Sequence, residues 1–120
     1  MFLMLKKIIF LFGVLYLFAV MPVMAYIDGN TAVVRIMNKA AGKTQSVKIP
    51  VGRSVEFEKL LITVKSCKQT DPFQAEDFFA FIQVSTAAAG QIFGGWMSRN
   101  EPGDNPLQNA DYDLWLVRCE

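Results

Sequence analysis

The 120-residue chain contains no histidine. That absence removes the Ser-His-Asp triad, the Cys-His dyad and every His-ligated metal site. Cysteine is scarce as well: Cys67 and Cys119 are the only two, so neither a Cys-x-x-Cys redox motif nor a four-thiolate zinc site can be built. Charged residues make up 19% of the chain, with 12 basic against 11 acidic side chains and no run of five like charges. Such a balance carries no electrostatic footprint for nucleic acid and no acidic or basic tail. No stretch has the 3.6-residue apolar period of an amphipathic helix, and there are no internal repeats. The length excludes a multidomain enzyme, since one domain takes about 100–200 residues.

Apolar residues are abundant, at 52%, but unevenly spread. They fill 21 of the first 25 positions and 42 of the remaining 95. The second share is close to the roughly 45–50% of ordinary globular domains. The first stretch reads as an export signal that is expected to be helical. Lys6 and Lys7 form a basic start, residues 8–20 carry no charge, Pro22 breaks the run, and Val23-Met24-Ala25 offers a signal-peptidase pattern. Residues 8–24 number 17, short of the about 20 that a spanning helix needs. Residues 1–25 are therefore expected to be a signal peptide cleaved near Ala25, which makes the protein periplasmic or exported. The alternative is an uncleaved inner-membrane anchor with the domain facing the periplasm, and only then does the protein touch a membrane. Residues 26–30, with Gly29 and Asn30, read as a flexible lead-in, and residues 31–120 as one β domain. After cleavage the domain keeps 10 basic and 11 acidic residues.

Export places both cysteines where thiols oxidise. An intramolecular Cys67–Cys119 disulfide closes a 53-residue loop. Chain-entropy arithmetic gives such a loop roughly 4 kcal/mol as an upper figure. That is a large part of the about 5–15 kcal/mol that holds a typical domain.

The domain reads as about seven short strands: residues 31–38, 44–49, 54–57, 60–68, 78–86, 91–98 and 112–119. Residues 31–38 are rich in β-branched side chains, and a Gly42-containing turn joins them to 44–49 as a hairpin. Leu60, Ile62 and Val64 alternate as a buried set. Straight alternation then puts Cys67 on the opposite face, so either the disulfide lies outside the core or a bulge shifts the register. Residues 78–86 are the most hydrophobic and read as central. Gly94-Gly95 marks a bulge or a close packing contact. In the last strand Trp115, Val117 and Cys119 are expected on one face. The fold class is all-β, an antiparallel β-sandwich or small barrel with one disulfide.

Chemistry has few carriers here. Glu101, Asp104, Asp111 and Asp113 lie close in sequence, but their spacing matches no calcium loop, and no metal or cofactor is expected. Paired carboxylates such as Asp111 and Asp113 could in principle serve a hydrolase, by the geometry of glycosidases, whereas candidate serines such as Ser98 stand in no Ser-x-x-Lys motif. The aromatic residues say more. Trp96, Tyr112 and Trp115 flank residues 99–111, an unusually long connection for a compact domain. Aromatic side chains with a polar handle favour contact surfaces. Trp96, Arg99, Glu101, Asp104, Asp111, Tyr112, Asp113 and Trp115 therefore form the candidate contact surface.

Gly95-Trp96-Met97, then Tyr112-Asp113-Leu114-Trp115 and the penultimate Cys119, resemble a family of small exported bacterial proteins, mainly alphaproteobacterial. It is catalogued as domain of unknown function 2155. Lys39 to Lys43, Pro50-Val51-Gly52 and the strand ending in Cys67 fit the same pattern. The resemblance implies export and a two-cysteine fold, and the family has no established activity. Relatives often carry His-Pro before the Tyr-Asp pair, where this chain has Ala110-Asp111. Any chemistry of that histidine is absent here, which favours a non-enzymatic role. The reading is a binding or accessory module of the cell envelope that contacts an envelope protein or glycan. The alternatives are a carboxylate-based envelope hydrolase and a membrane-tethered structural subunit.

Overall fold

The computed structural model describes residues 26–120, so the expected signal helix and cleavage site lie outside the described residues. Eight strands follow one another: β1 (Tyr26–Asp28), β2 (Thr31–Asn38), β3 (Lys43–Pro50), β4 (Ser54–Phe57), β5 (Leu60–Thr70), β6 (Phe78–Thr86), β7 (Gly90–Ser98) and β8 (Tyr112–Cys119). All pairings are antiparallel, and the described residues contain no helix. One sheet has the order β1-β5-β6-β7, with β4 also paired to β5; the other has the order β3-β2-β8. The two form a sandwich whose inner faces bury Ala32, Val34, Ile36, Ile62, Val64, Ile82, Val84 and Leu116 at 2% exposure or less.

The seven expected strands are all present. The eighth, β1, replaces most of the expected lead-in: Tyr26, Ile27 and Asp28 pair with Thr70, Gln69 and Lys68. β5 is eleven residues long, and β4 covers only its first part. The remainder of that edge needs a partner, since unpaired strand edges leave backbone polar groups exposed.

Two bulges set the position of the disulfide. Across β5 and β6, Val64 pairs with Ile82 and Ser66 with Phe81, which leaves Lys65 unpaired. Across β2 and β8, Leu116 pairs with Val34 and Arg118 with Val33, which leaves Val117 unpaired. Each extra residue inverts the alternation that follows it. Cys67 thus joins Leu60, Ile62 and Val64 on the inner face, 1% exposed. Cys119 joins Tyr112, Leu114 and Leu116 in the same way. This corrects the expected grouping of Trp115, Val117 and Cys119: Trp115 and Val117 are only half-buried, and Cys119 is buried. The two cysteines form a disulfide between the sheets, with Cα atoms 5.7 Å apart.

Gly29 crosses from one sheet to the other beside this bond. Its N–H donates to Cys67 O at 2.8 Å, and a Cβ there would stand 2.9 Å from Cys119 Cβ. In β7 the bulge falls at Ile92, because Phe93 pairs with Val84 and Gln91 with Ser85. Gly94-Gly95 is instead a site of close approach: a Cβ on Gly95 would meet Asn105 Nδ2 at 2.5 Å.

Candidate functional site

β6 is apolar on both faces, which is unusual for an outer-facing antiparallel strand. Phe78, Ala80, Ile82 and Val84 point into the core, while Phe79 and Phe81 point outward and stay half-buried. Register puts Trp96 of β7 directly opposite Phe81. Their rings meet edge to face, 5.5 Å apart at 77°. Tyr26 of β1 makes the same contact with Phe79, at 5.5 Å and 71°. Trp96 and Tyr26 nevertheless remain 45% and 46% exposed. With Lys68 and Phe79 they line a shallow pocket of about 290 Å³. Lys68 is held by Asp28 at 3.3 Å. The amide of Gln91 lies over Gly94 beside this aromatic face.

Residues 99–111 are fixed at both ends and in the middle. The Arg99 guanidinium donates to Glu76 Oε1 at 2.9 Å and to Glu76 O at 3.0 Å, and it stacks 4.8 Å from the Phe78 ring centre. The Asp77 carboxylate accepts from Ser98 Oγ and from the N–H groups of Phe78 and Asn100. Leu107 is buried in the core. Asn109 Oδ1 accepts from the N–H groups of Asp111 and Tyr112, and Lys39 Nζ donates to Asn109 O. This fastened connection exposes Glu101 and Asp104 at one turn. There the neighbouring Asp104 carboxylate, through a shared hydrogen bond and its charge, holds Glu101 above the ordinary carboxylate range.

The eight candidate contact residues therefore do not form one surface. Trp96 belongs to the outer face of the larger sheet. Asp113 and Trp115 lie opposite Met37 and Arg35 on the smaller sheet, and the Asp113 carboxylate accepts from Leu114 N–H at 2.9 Å. Asp111 and Tyr112 line a groove of about 800 Å³ at the end of the sandwich, together with Glu56, Glu58 and Leu61. Tyr112 is itself buried, and its hydroxyl donates to Glu58 Oε2 at 2.8 Å. Asn38 Nδ2 donates to the same oxygen at 2.9 Å. The Glu58 carboxylate, helped by burial, raises the Tyr112 phenol above its ordinary pKa. Asp113 is not among the residues lining the groove, so the proposed Asp111–Asp113 carboxylate pair does not meet across it. Among the described residues no three acidic or cysteine side chains converge to hold a metal ion.

Sequence reasoning missed Tyr26, Lys68, Phe79 and Phe81. The outward phenylalanines had a signal, because residues 78–81 read Phe-Phe-Ala-Phe and leave apolar groups on both faces of one strand. Tyr26 and Lys68 had none, since a non-local strand pairing brings them together.

The model of a family described as "Uncharacterized protein conserved in bacteria (DUF2155)" matches residues 32–119. Neither a curated protein nor a solved structure matches the chain.

Proposed function

The chain belongs to this uncharacterised bacterial family, DUF2155, and from that premise we propose that it is an exported, non-enzymatic binding or accessory module of the cell envelope. The contact surface is the aromatic outer face of the β5-β6-β7 sheet, and the partner is an envelope protein or glycan. The observation that carries this reading is Trp96, left 45% exposed while its ring is held against Phe81. A rigid, half-exposed aromatic group loses little freedom when a partner covers it, and such side chains dominate binding energies. Export is supported by the charge-free run at residues 8–20 and by a disulfide, which an oxidising compartment sustains.

Crosslinking in living cells from Gln83, a neighbour of Trp96 on the same face, tests the reading. Capture of a defined protein or glycan that Trp96→Ala abolishes, with the disulfide intact, is the expected result. Identical captures from both proteins would reject this face as the contact surface.

A further inference from the structure

Five large apolar side chains of the described residues are exposed: Tyr26, Ile27, Leu61, Phe73 and Trp96. Scattered exposed apolar groups are normal, but three of these share one end of the domain. Tyr26 pairs with Thr70, and Ile27 with Gln69, at the end of β5. Phe73 follows in the connection that leaves Thr70 and returns to Asp77, whose carbonyl accepts from Thr70 N–H at 3.1 Å. Phe73 is 97% exposed. A local turn holds it outward: Asp71 Oδ1 accepts from Phe73 N–H and Asp71 O from Gln74 N–H, both at 2.9 Å.

The chain enters the domain at this same end. Residues 8–24 carry no charge, and only Ala25 separates them from Tyr26. Two peptide steps of roughly 3.6 Å each are all that lie between the apolar run and β1. Whatever membrane takes up residues 8–24 is therefore brought within about 7 Å of Tyr26. We infer that, while residues 8–24 remain attached, the end bearing Tyr26, Ile27 and Phe73 rests in the interfacial layer of the lipid bilayer which that segment enters. Tyr26 suits this layer, with an apolar ring and a polar tip, and Phe73 and Ile27 gain by burying exposed apolar surface at its acyl boundary. Lys68 is paired with Asp28 and Arg99 with Glu76, while Asp71 beside Phe73 accepts only the Phe73 N–H and Asp77 only neutral donors. The excess charge at this end is acidic, so the attraction is apolar: it needs no anionic lipid and, on a zwitterionic bilayer, survives high salt. This inference does not rest on the Trp96 partner.

The test uses the full chain reconstituted in phosphatidylcholine vesicles with brominated acyl chains, which quench nearby tryptophan. In a Trp96→Phe, Trp115→Phe background, Phe73→Trp reports the proposed contact. Leu61→Trp is the control, nine residues from Thr70 along β5 and so roughly 30 Å away. Disulfide formation is verified by mass in both. Phe73→Trp should lose at least half of its emission relative to unbrominated vesicles, equally at low and high salt, and Leu61→Trp should be unchanged. Equal emission from residue 73 in both vesicles would overturn the inference. So would equal quenching at residues 73 and 61, or quenching that salt abolishes. None of these results bears on capture of a partner at Trp96.

Discussion

The Tyr112 hydroxyl donates to Glu58 Oε2 at 2.8 Å and so ties β8 of the smaller sheet to the β4–β5 turn of the larger one. Glu58 has φ 51°, a left-handed conformation that L side chains adopt reluctantly. A two-residue hairpin loop requires positive φ at this position. Glycine or asparagine would meet that need with less strain. Glutamate meets it while placing a carboxylate where Tyr112 and Asn38 both donate.

This pair should show in the alkaline titration. The folded pKa of Tyr112 is raised, so its contribution to stability is fully present below the ordinary tyrosine value of about 10. It is lost as pH rises through the folded value. Near-UV absorbance should resolve one phenol that ionises late, and Glu58→Gln should bring it back toward the ordinary value. Tyr112→Phe should remove that phenol and flatten the alkaline limb of the stability curve. A late phenol that persists in Tyr112→Phe would show that the assignment is wrong.

Deleting Lys65, or separately Val117, removes one bulge and turns the following cysteine away from the core. Each deletion should leave two thiols that react with an alkylating agent after oxidative refolding. By contrast, Lys65→Ala keeps the residue count and should oxidise normally, with stability within about 0.5 kcal/mol of the parent because the side chain is exposed. Quantitative disulfide in either deletion would refute this account of the register.

Reduction of Cys67–Cys119 should lower the urea midpoint. The loss should approach but not exceed about 4 kcal/mol, the chain-entropy figure for a loop of this size. Denaturation with and without reductant, monitored by tryptophan emission, measures it. An unchanged midpoint would mean that the loop is already constrained in the unfolded chain.

Gly29→Ala should destabilise the domain by about 1–3 kcal/mol, the usual cost of overpacking. The added methyl meets Cys119 Cβ at 2.9 Å and Glu120 O at 3.2 Å. Neither can swing aside, since one belongs to the crosslink and the other accepts from Asn30 and Thr31 N–H. Gly103→Ala, with open space around it, is the matched control and should be nearly silent.

The all-β class and seven of the strands were legible because period-two alternation survives in short segments such as Leu60-Leu61-Ile62-Thr63-Val64. The alternation also foretold that either a bulge or an external disulfide must occur near Cys67. It failed at Cys119, where nothing local marks Val117 as the extra residue. β1 was invisible for a different reason: three residues carry no period, and the strand exists only because β5 outruns β4. Trp96 was legible as an aromatic beside the long connection, but the residues grouped with it do not share its face. Neighbours in sequence across residues 99–111 end on different faces, whereas Tyr26, Phe79 and Trp96 come together through pairing over long separations.

The arrangement around Gly29 has a mechanical consequence. A pull entering the domain at Tyr26 first meets β1, which is joined to β5 through three register pairs. Those pairs can part and release roughly 10 Å of chain, at about 3.3–3.6 Å per residue. The load then arrives at Gly29, against Cys119 and the carbonyl of Cys67. From there a covalent bond shares it between both sheets. β1 is a fuse in series with a rivet: it yields first and can re-form, and what passes it is spread over both sheets.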